Sequence, residues 1–121
     1  MVRLKRVYDP PDEGDGERFL VERLWPRGVS RQKARLTGWP KELAPSPVLR
    51  KWFGHNPKRW DEFQRRYRAE LREPDKQPLL TELAAKSKGG TVTLVFAARD
   101  QERNSAVVLK RVVESRGRGS R

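Results

Sequence analysis

The sequence predicts a small single-domain α/β protein built on a mostly parallel sheet of about three strands flanked by helices. Three observations carry that expectation. Residues 91–97 (Thr-Val-Thr-Leu-Val-Phe-Ala) are β-branched and apolar on both faces, as a central parallel strand requires. Several segments of helical periodicity separate this run from an earlier apolar run at 18–24, and a connection of that length joins parallel strands. At 121 residues the chain can bury one modest core but not two.

Residues 4–8 read as a first strand, whose direction stays open because the following loop permits a hairpin or a tight return. Residues 9–16 are rich in Pro, Gly and Asp and read as irregular structure. In the strand at 18–24, Phe19 and Val21 face one side while Leu20 and Leu24 face the other, so the sheet is expected to be covered on both faces. Ser30 caps a short helix over 31–36, which Thr37-Gly38 stops. Ser46-Pro47 sets a capping hydroxyl before a proline at the first helical position. Val48, Leu49, Trp52 and Phe53 then share a face, and Gly54 ends that helix. Asn56-Pro57 repeats the device ahead of a helix reaching residue 71, with Trp60, Phe63, Tyr67 and Leu71 along one stripe. A helix over 78–87 turns Leu79, Leu80, Leu83 and Ala84 inward and stops at Gly89-Gly90. The last helix, near 104–114, turns Ala106, Leu109, Val112 and Val113 inward. The domain thus occupies 1–115, with 116–121 (Arg-Gly-Arg-Gly-Ser-Arg) expected as a disordered basic tail.

Composition narrows the chemistry. The chain has no cysteine, so disulfides, thiol nucleophiles and thiolate metal sites are excluded. A single histidine excludes a His-rich metal site, and no metal site or cofactor is assigned. No apolar run approaches eighteen residues, which argues against membrane spanning, and a cytoplasmic location is expected by default. Formal charge is +12. Only three arginines of that surplus lie in the tail, so the body itself favours anionic partners such as phosphorylated metabolites or nucleic acid.

Ligands of open parallel sheets bind beyond the carboxyl ends of the strands. Two strands run there into polar loops: Trp25-Pro26-Arg27-Gly28, and residues 98–103 leading to Asn104 at the start of the last helix. An anion placed there would also meet the helix's free amides. Arg23, Trp25, Arg27, Arg99, Asp100 and Asn104 are therefore the candidate ligand-binding residues. Each has a plainer reading. Arg23 would pair with Glu22 or Asp100, Asp100 would serve a turn, Asn104 would be an N-cap, and Trp25 would be core. Arg27, between Pro and Gly, has the weakest structural excuse. His55 and Asp100 are the weak catalytic candidates, and whether His55 reaches the cleft is open. No Ser/His/Asp signature, P-loop or Gly-x-Gly-x-x-Gly is present.

These blocks together resemble the YeaO-like family, a branch of a bacterial group of domains of unknown function. The resemblance runs through Lys5-Arg6-Val7-Tyr8-Asp9, Leu20-Val21-Glu22-Arg23-Leu24-Trp25-Pro26-Arg27-Gly28, Leu49-Arg50-Lys51-Trp52-Phe53-Gly54-His55 and Asn104 with Ala106-Val107-Val108-Leu109, nearly the whole chain. It implies a small cytoplasmic α/β domain whose signature includes Arg23, Trp25, Arg27, Arg50, Trp52, His55, Asp100 and Asn104, without an established activity. Two positions depart from the pattern: Glu22 replaces an aspartate, and Arg103 replaces a histidine.

The expected function is binding of an anionic, phosphate- or nucleotide-like ligand at a basic cleft at the carboxyl ends of the strands. Two alternatives stand beside it. One is a nucleic-acid-binding or regulatory module using the general basic surface, with Lys58, Arg59, Arg65, Arg66 and Arg68 as a stripe interrupted by acids. The other is a non-catalytic interaction domain. Whether the protein is an enzyme, and its oligomeric state, remain open at this point.

Overall fold

The structure, a computed structural model, describes residues 1–119, with side chains through Arg116. Three strands, β1 (Val2–Arg6), β2 (Glu17–Leu20) and β3 (Val92–Phe96), form one open parallel sheet in the order β1-β3-β2. β3 is central and buried at all five positions. Its register places Val92 opposite Val2 on one side and opposite Glu17 on the other. The small α/β domain expected from the sequence is the observed fold, and the first strand runs parallel to its neighbour.

That direction has a cost. β1 ends at one rim of the sheet and β2 starts at the other, so residues 7–16 must cross the sheet without a helix. The crossing carries only a 3-10 turn at Glu13–Asp15. Gly16 lets the chain re-enter β2 with φ of 62°, and a Cβ there would stand 2.1 Å from the Thr91 carbonyl oxygen. No residue but glycine fits that approach without backbone movement.

The helices are α1 (Arg31–Ala34), α2 (Pro47–Phe53), α3 (Trp60–Leu71), α4 (Gln77–Gly89) and α5 (Ser105–Gly119). The stripe of Trp60, Phe63, Tyr67 and Leu71 packs inward as the spacing predicts. Phe63 stacks on Phe53 with ring centroids 4.3 Å apart and planes 21° from parallel. Val2, Phe19, Val21, Val92, Leu94 and Phe96 supply the sheet's side of this main core, against α2 to α5. The buried Tyr67 hydroxyl donates to the Leu43 carbonyl at 2.5 Å, and burial pushes that phenol well above its ordinary range.

The opposite face is covered by α1 and loops instead. Leu20, Val95 and Val7 pack there against Trp25, Val29, Leu36 and Trp39. Nearer the amino ends of the strands that face is polar. The Asp15 carboxylate, with no solvent exposure, accepts from Lys5 Nζ at 2.9 and 3.1 Å and from Arg18 Nη1 at 2.6 Å. Thr93 Oγ1 donates to the Asp15 carbonyl at 2.7 Å.

Boundaries differ from expectation in instructive places. The strand expected over 18–24 stops at Leu20 because β3 stops at Phe96: after Val21 donates to Val95, no ladder remains for 22–24. The helix expected from residue 57 opens as a 3-10 turn, Pro57–Arg59, before α3 begins. α5 continues to Gly119 rather than ending near residue 114. Of the tail expected over 116–121, Ser120 and Arg121 lie outside the described residues. Among the described residues no helix is long and apolar enough to cross a membrane.

Candidate functional site

A cavity of about 550 Å³ opens at the carboxyl ends of β2 and β3. Its walls are Glu22-Arg23 just past β2, Ala44-Pro45, α2 with the turn after it, Phe63 of α3, residues 97–100 past β3, and the start of α5. Phe53 and Phe63 supply an apolar wall, Arg23, Arg50 and Arg99 supply the cations, and His55 supplies an imidazole.

Local structure fixes each wall. Ser46 Oγ accepts the Leu49 amide at 3.1 Å and so caps α2; the same hydroxyl donates to Glu70 Oε2 at 2.6 Å. Glu70 Oε1 accepts the Ser46 amide at 2.8 Å, which clamps α2 to α3 and sets the direction in which Arg50 leaves the helix. Gly54 and His55 follow with φ of 52° and 57°. For His55 a left-handed backbone costs on the order of 1 kcal/mol, and it turns the chain so that the imidazole lines the cavity.

Arg23 is held by backbone oxygens: Nε donates to Pro45 at 3.1 Å and Nη2 to Ala44 at 3.0 Å. Its expected pairing with Glu22 or Asp100 is not what the structure shows. Asn104 caps α5, accepting from the Val107 amide at 3.1 Å and donating to the Asp100 carbonyl at 2.8 Å. Asp100 builds the preceding turn, accepting the Glu102 and Arg103 amides at 2.9 and 3.0 Å. Those two amides, with the Arg103 guanidinium beside it, hold its carboxyl below the usual carboxylate range. Asp100 and Asn104 thus have structural duties and line the cavity as well.

Glu22 is the other carboxylate of the cavity wall. Its Oε2 accepts the Ala97 amide at 3.0 Å, and its carbonyl accepts the Trp39 indole N–H at 2.5 Å. Burial pushes its carboxyl up; the Ala97 amide and the charges of His55 and Arg50 offset this only in part. Both cavity carboxylates are therefore turned to backbone amides. Arg50 and Arg99 are exposed and form no ion pair among the described residues. Two amides of the first turn of α5, at Ser105 and Ala106, also have no backbone acceptor among the described residues, as expected at a helix start. The arrangement favours an anion. No group of three or more His, Asp or Glu side chains placed to hold a metal occurs among the described residues.

The residues expected from sequence divide. Arg23, Arg99, Asp100, Asn104 and His55 line one cavity. Trp25 and Arg27 do not. Beyond Arg23 the chain turns onto the other sheet face. There Trp25 meets Trp39 edge-on, centroids 5.5 Å apart, and its indole N–H donates to Val29 at 2.7 Å. Arg27 is exposed, and its carbonyl accepts the Tyr8 hydroxyl at 3.1 Å. Sequence reasoning about the cleft passed over Glu22 and Arg50. A carboxylate directly after three buried apolar residues was the available signal for Glu22; Arg50 stood among the signature residues without a place.

Comparison with known proteins bears on the whole chain. A family model described as the inactive DUF488-N3 subclade matches residues 1–119. Uncharacterised proteins of Mycobacterium tuberculosis and Mycobacterium bovis are each 41% identical over 115 residues, covering 95% of this chain and 95% of theirs. The uncharacterised protein YeaO of Escherichia coli is 39% identical over 108 residues, covering 89% of this chain and 92% of its own. No solved structure matches significantly.

Proposed function

We propose, on the premise that this chain belongs to the DUF488-N3i family, the inactive DUF488-N3 subclade, that it is a cytoplasmic binding protein for a small anionic ligand carrying a phosphate- or nucleotide-like group. The observation that carries the reading is the cavity itself: three arginines and a histidine converge at the carboxyl ends of two parallel strands, where both carboxylates are engaged by backbone amides. A ring or sugar would rest on Phe53 and Phe63 while Arg50, Arg99 and the first amides of α5 meet the charge. The subclade's description as inactive supports binding without turnover. A cysteine-free, strongly cationic chain suits the cytoplasm.

The test is calorimetric titration with inorganic phosphate, pyrophosphate and nucleoside mono- and triphosphates. One of these should bind, and Arg50→Ala should weaken that binding roughly tenfold or more, the size of a lost hydrogen bond to a charged group. Binding that survives in the Arg50→Ala, Arg99→Ala double variant, or no binding at all, would overturn the reading.

A further inference from the structure

A second basic feature lies on the sheet face opposite the main helical core. Residues 23–41 contain six cationic side chains and no acidic one. Arg23 is spent on the Ala44 and Pro45 carbonyls, but Arg27, Arg31, Lys33, Arg35 and Lys41 are all exposed. None of these five cations is among the ion pairs of the described residues; on this face of the sheet those pairs are confined to Asp12 and Asp15 with Arg3, Lys5 and Arg18. What sets this stretch apart is that it holds no acidic residue of its own.

The cations are also interleaved with aromatic rings. The Arg31 guanidinium sits 4.4 Å from the Trp25 ring centroid and 5.8 Å from that of Trp39, and Lys41 Nζ sits 4.8 Å over Trp39. Lys33 and Arg35 line an open groove of about 740 Å³ between residues 28–35 and 7–11. Tyr8 lies at that groove, 48% exposed, and its hydroxyl bond to Arg27 ties the two loops together. Asp9, Glu42 and the exposed Asp12 and Glu13 of the neighbouring crossing border the stretch, and Asp12 is engaged by Lys5.

We propose that this face binds single-stranded nucleic acid, the cations following the phosphates and the Tyr8 ring stacking on a base. A positively charged groove beside an exposed aromatic is what sequence-tolerant single-strand binding uses. Duplex reading is disfavoured by the same face, because its one helix, α1, is a single turn of four residues with nothing to lay in a major groove. The site is separate from the cavity and stands whether or not that cavity takes an anion.

Fluorescence anisotropy with labelled oligo-dT, oligo-U and a duplex of equal length tests it, run from low to physiological salt. Single strands should bind more tightly than the duplex, and the two single strands distinguish DNA from RNA as the preferred source of the same chemistry. The Arg31→Ala, Lys33→Ala, Arg35→Ala triple variant should lower the salt slope by about 2, from roughly 0.7 per phosphate contact on a single strand. Tyr8→Ala should weaken binding about fivefold or more. Equal losses from neutralising Lys58, Arg65 and Arg68, on α3 and the turn before it, would assign binding to charge in general and overturn the proposal. So would preference for duplex, equal competition by polyglutamate, or a triple variant that unfolds at the parent's temperature yet binds unchanged.

Discussion

A carboxylate shut away from solvent is tolerated only when its charge is answered, and Asp15 is answered by Lys5, Arg18 and the Asp12 amide. Burial pushes its carboxyl up, but those three together outweigh burial and hold it below the usual range. Its contribution to stability is therefore present above the unfolded value of 3.8 and is lost as pH falls through the lower folded value. Asp15→Ala, which strands the Arg18 and Lys5 charges, should cost about 3–5 kcal/mol in urea unfolding at pH 7. The gap between parent and variant should close as pH is lowered past 4. Glu22 has the opposite sign. With its folded value raised by burial, its favourable contribution is complete below the unfolded 4.5 and is lost as pH rises through the folded value. Glu22→Gln keeps an acceptor for the Ala97 amide, so its melting temperature at pH 7 should equal or exceed the parent's, with no advantage at pH 4. A clear loss at pH 7 would mean the ionised carboxylate is held by more than that amide.

Among the elements, the crossing between β1 and β2 is the least regular and the most constrained. Gly16 stands against the Thr91 carbonyl with a left-handed backbone, so Gly16→Ala combines overpacking with an unfavourable φ. The cost should be at least about 2 kcal/mol, read from the shift in the urea midpoint. Substitution of Gly28, which also has positive φ but open space around it, should cost less. Elements also mark where the sequence was legible. The apolar stripe of α3, the caps at Ser46 and Asn104, and the both-faced burial of β3 follow from spacing and local chemistry alone. So does the placement of a cavity at the strand ends, once the strands are parallel. Trp25 and Arg27 were misplaced for a nonlocal reason: β2 ends where β3 runs out of residues to pair, and alternation within 18–24 carries no record of β3's length. Glu22 was missed for the same kind of reason, since the amide that engages it lies 75 residues away.

At the scale of the whole molecule the two faces of the sheet are unlike. One carries α2 to α5 and most of the core; the other is sealed by loops, one short helix and a buried ion cluster. Local stability should divide in the same way. In native-state hydrogen exchange the β3 amides, bonded within the sheet and buried at every position, should open only by global unfolding. Amides over 23–46 outside hydrogen-bonded turns should exchange through smaller openings. Equal protection of both would show that the looped face folds as one unit with the sheet.

The strand order carries one more implication, about time. β1 and β2 are not neighbours in the sheet; β3 is the strand that both pair with, β2 adding one bridge to Gly38, and Val2 finds its partner at Val92. A ribosome adding about 5–20 residues per second needs roughly 5–20 seconds to travel that distance. Throughout that interval the nascent chain holds two strands without the strand they share, along with a buried-type carboxylate and its cations still in water. Sheet formation must wait for β3 and then happen nearly at once, so this small protein is expected to fold after most of its length has been made.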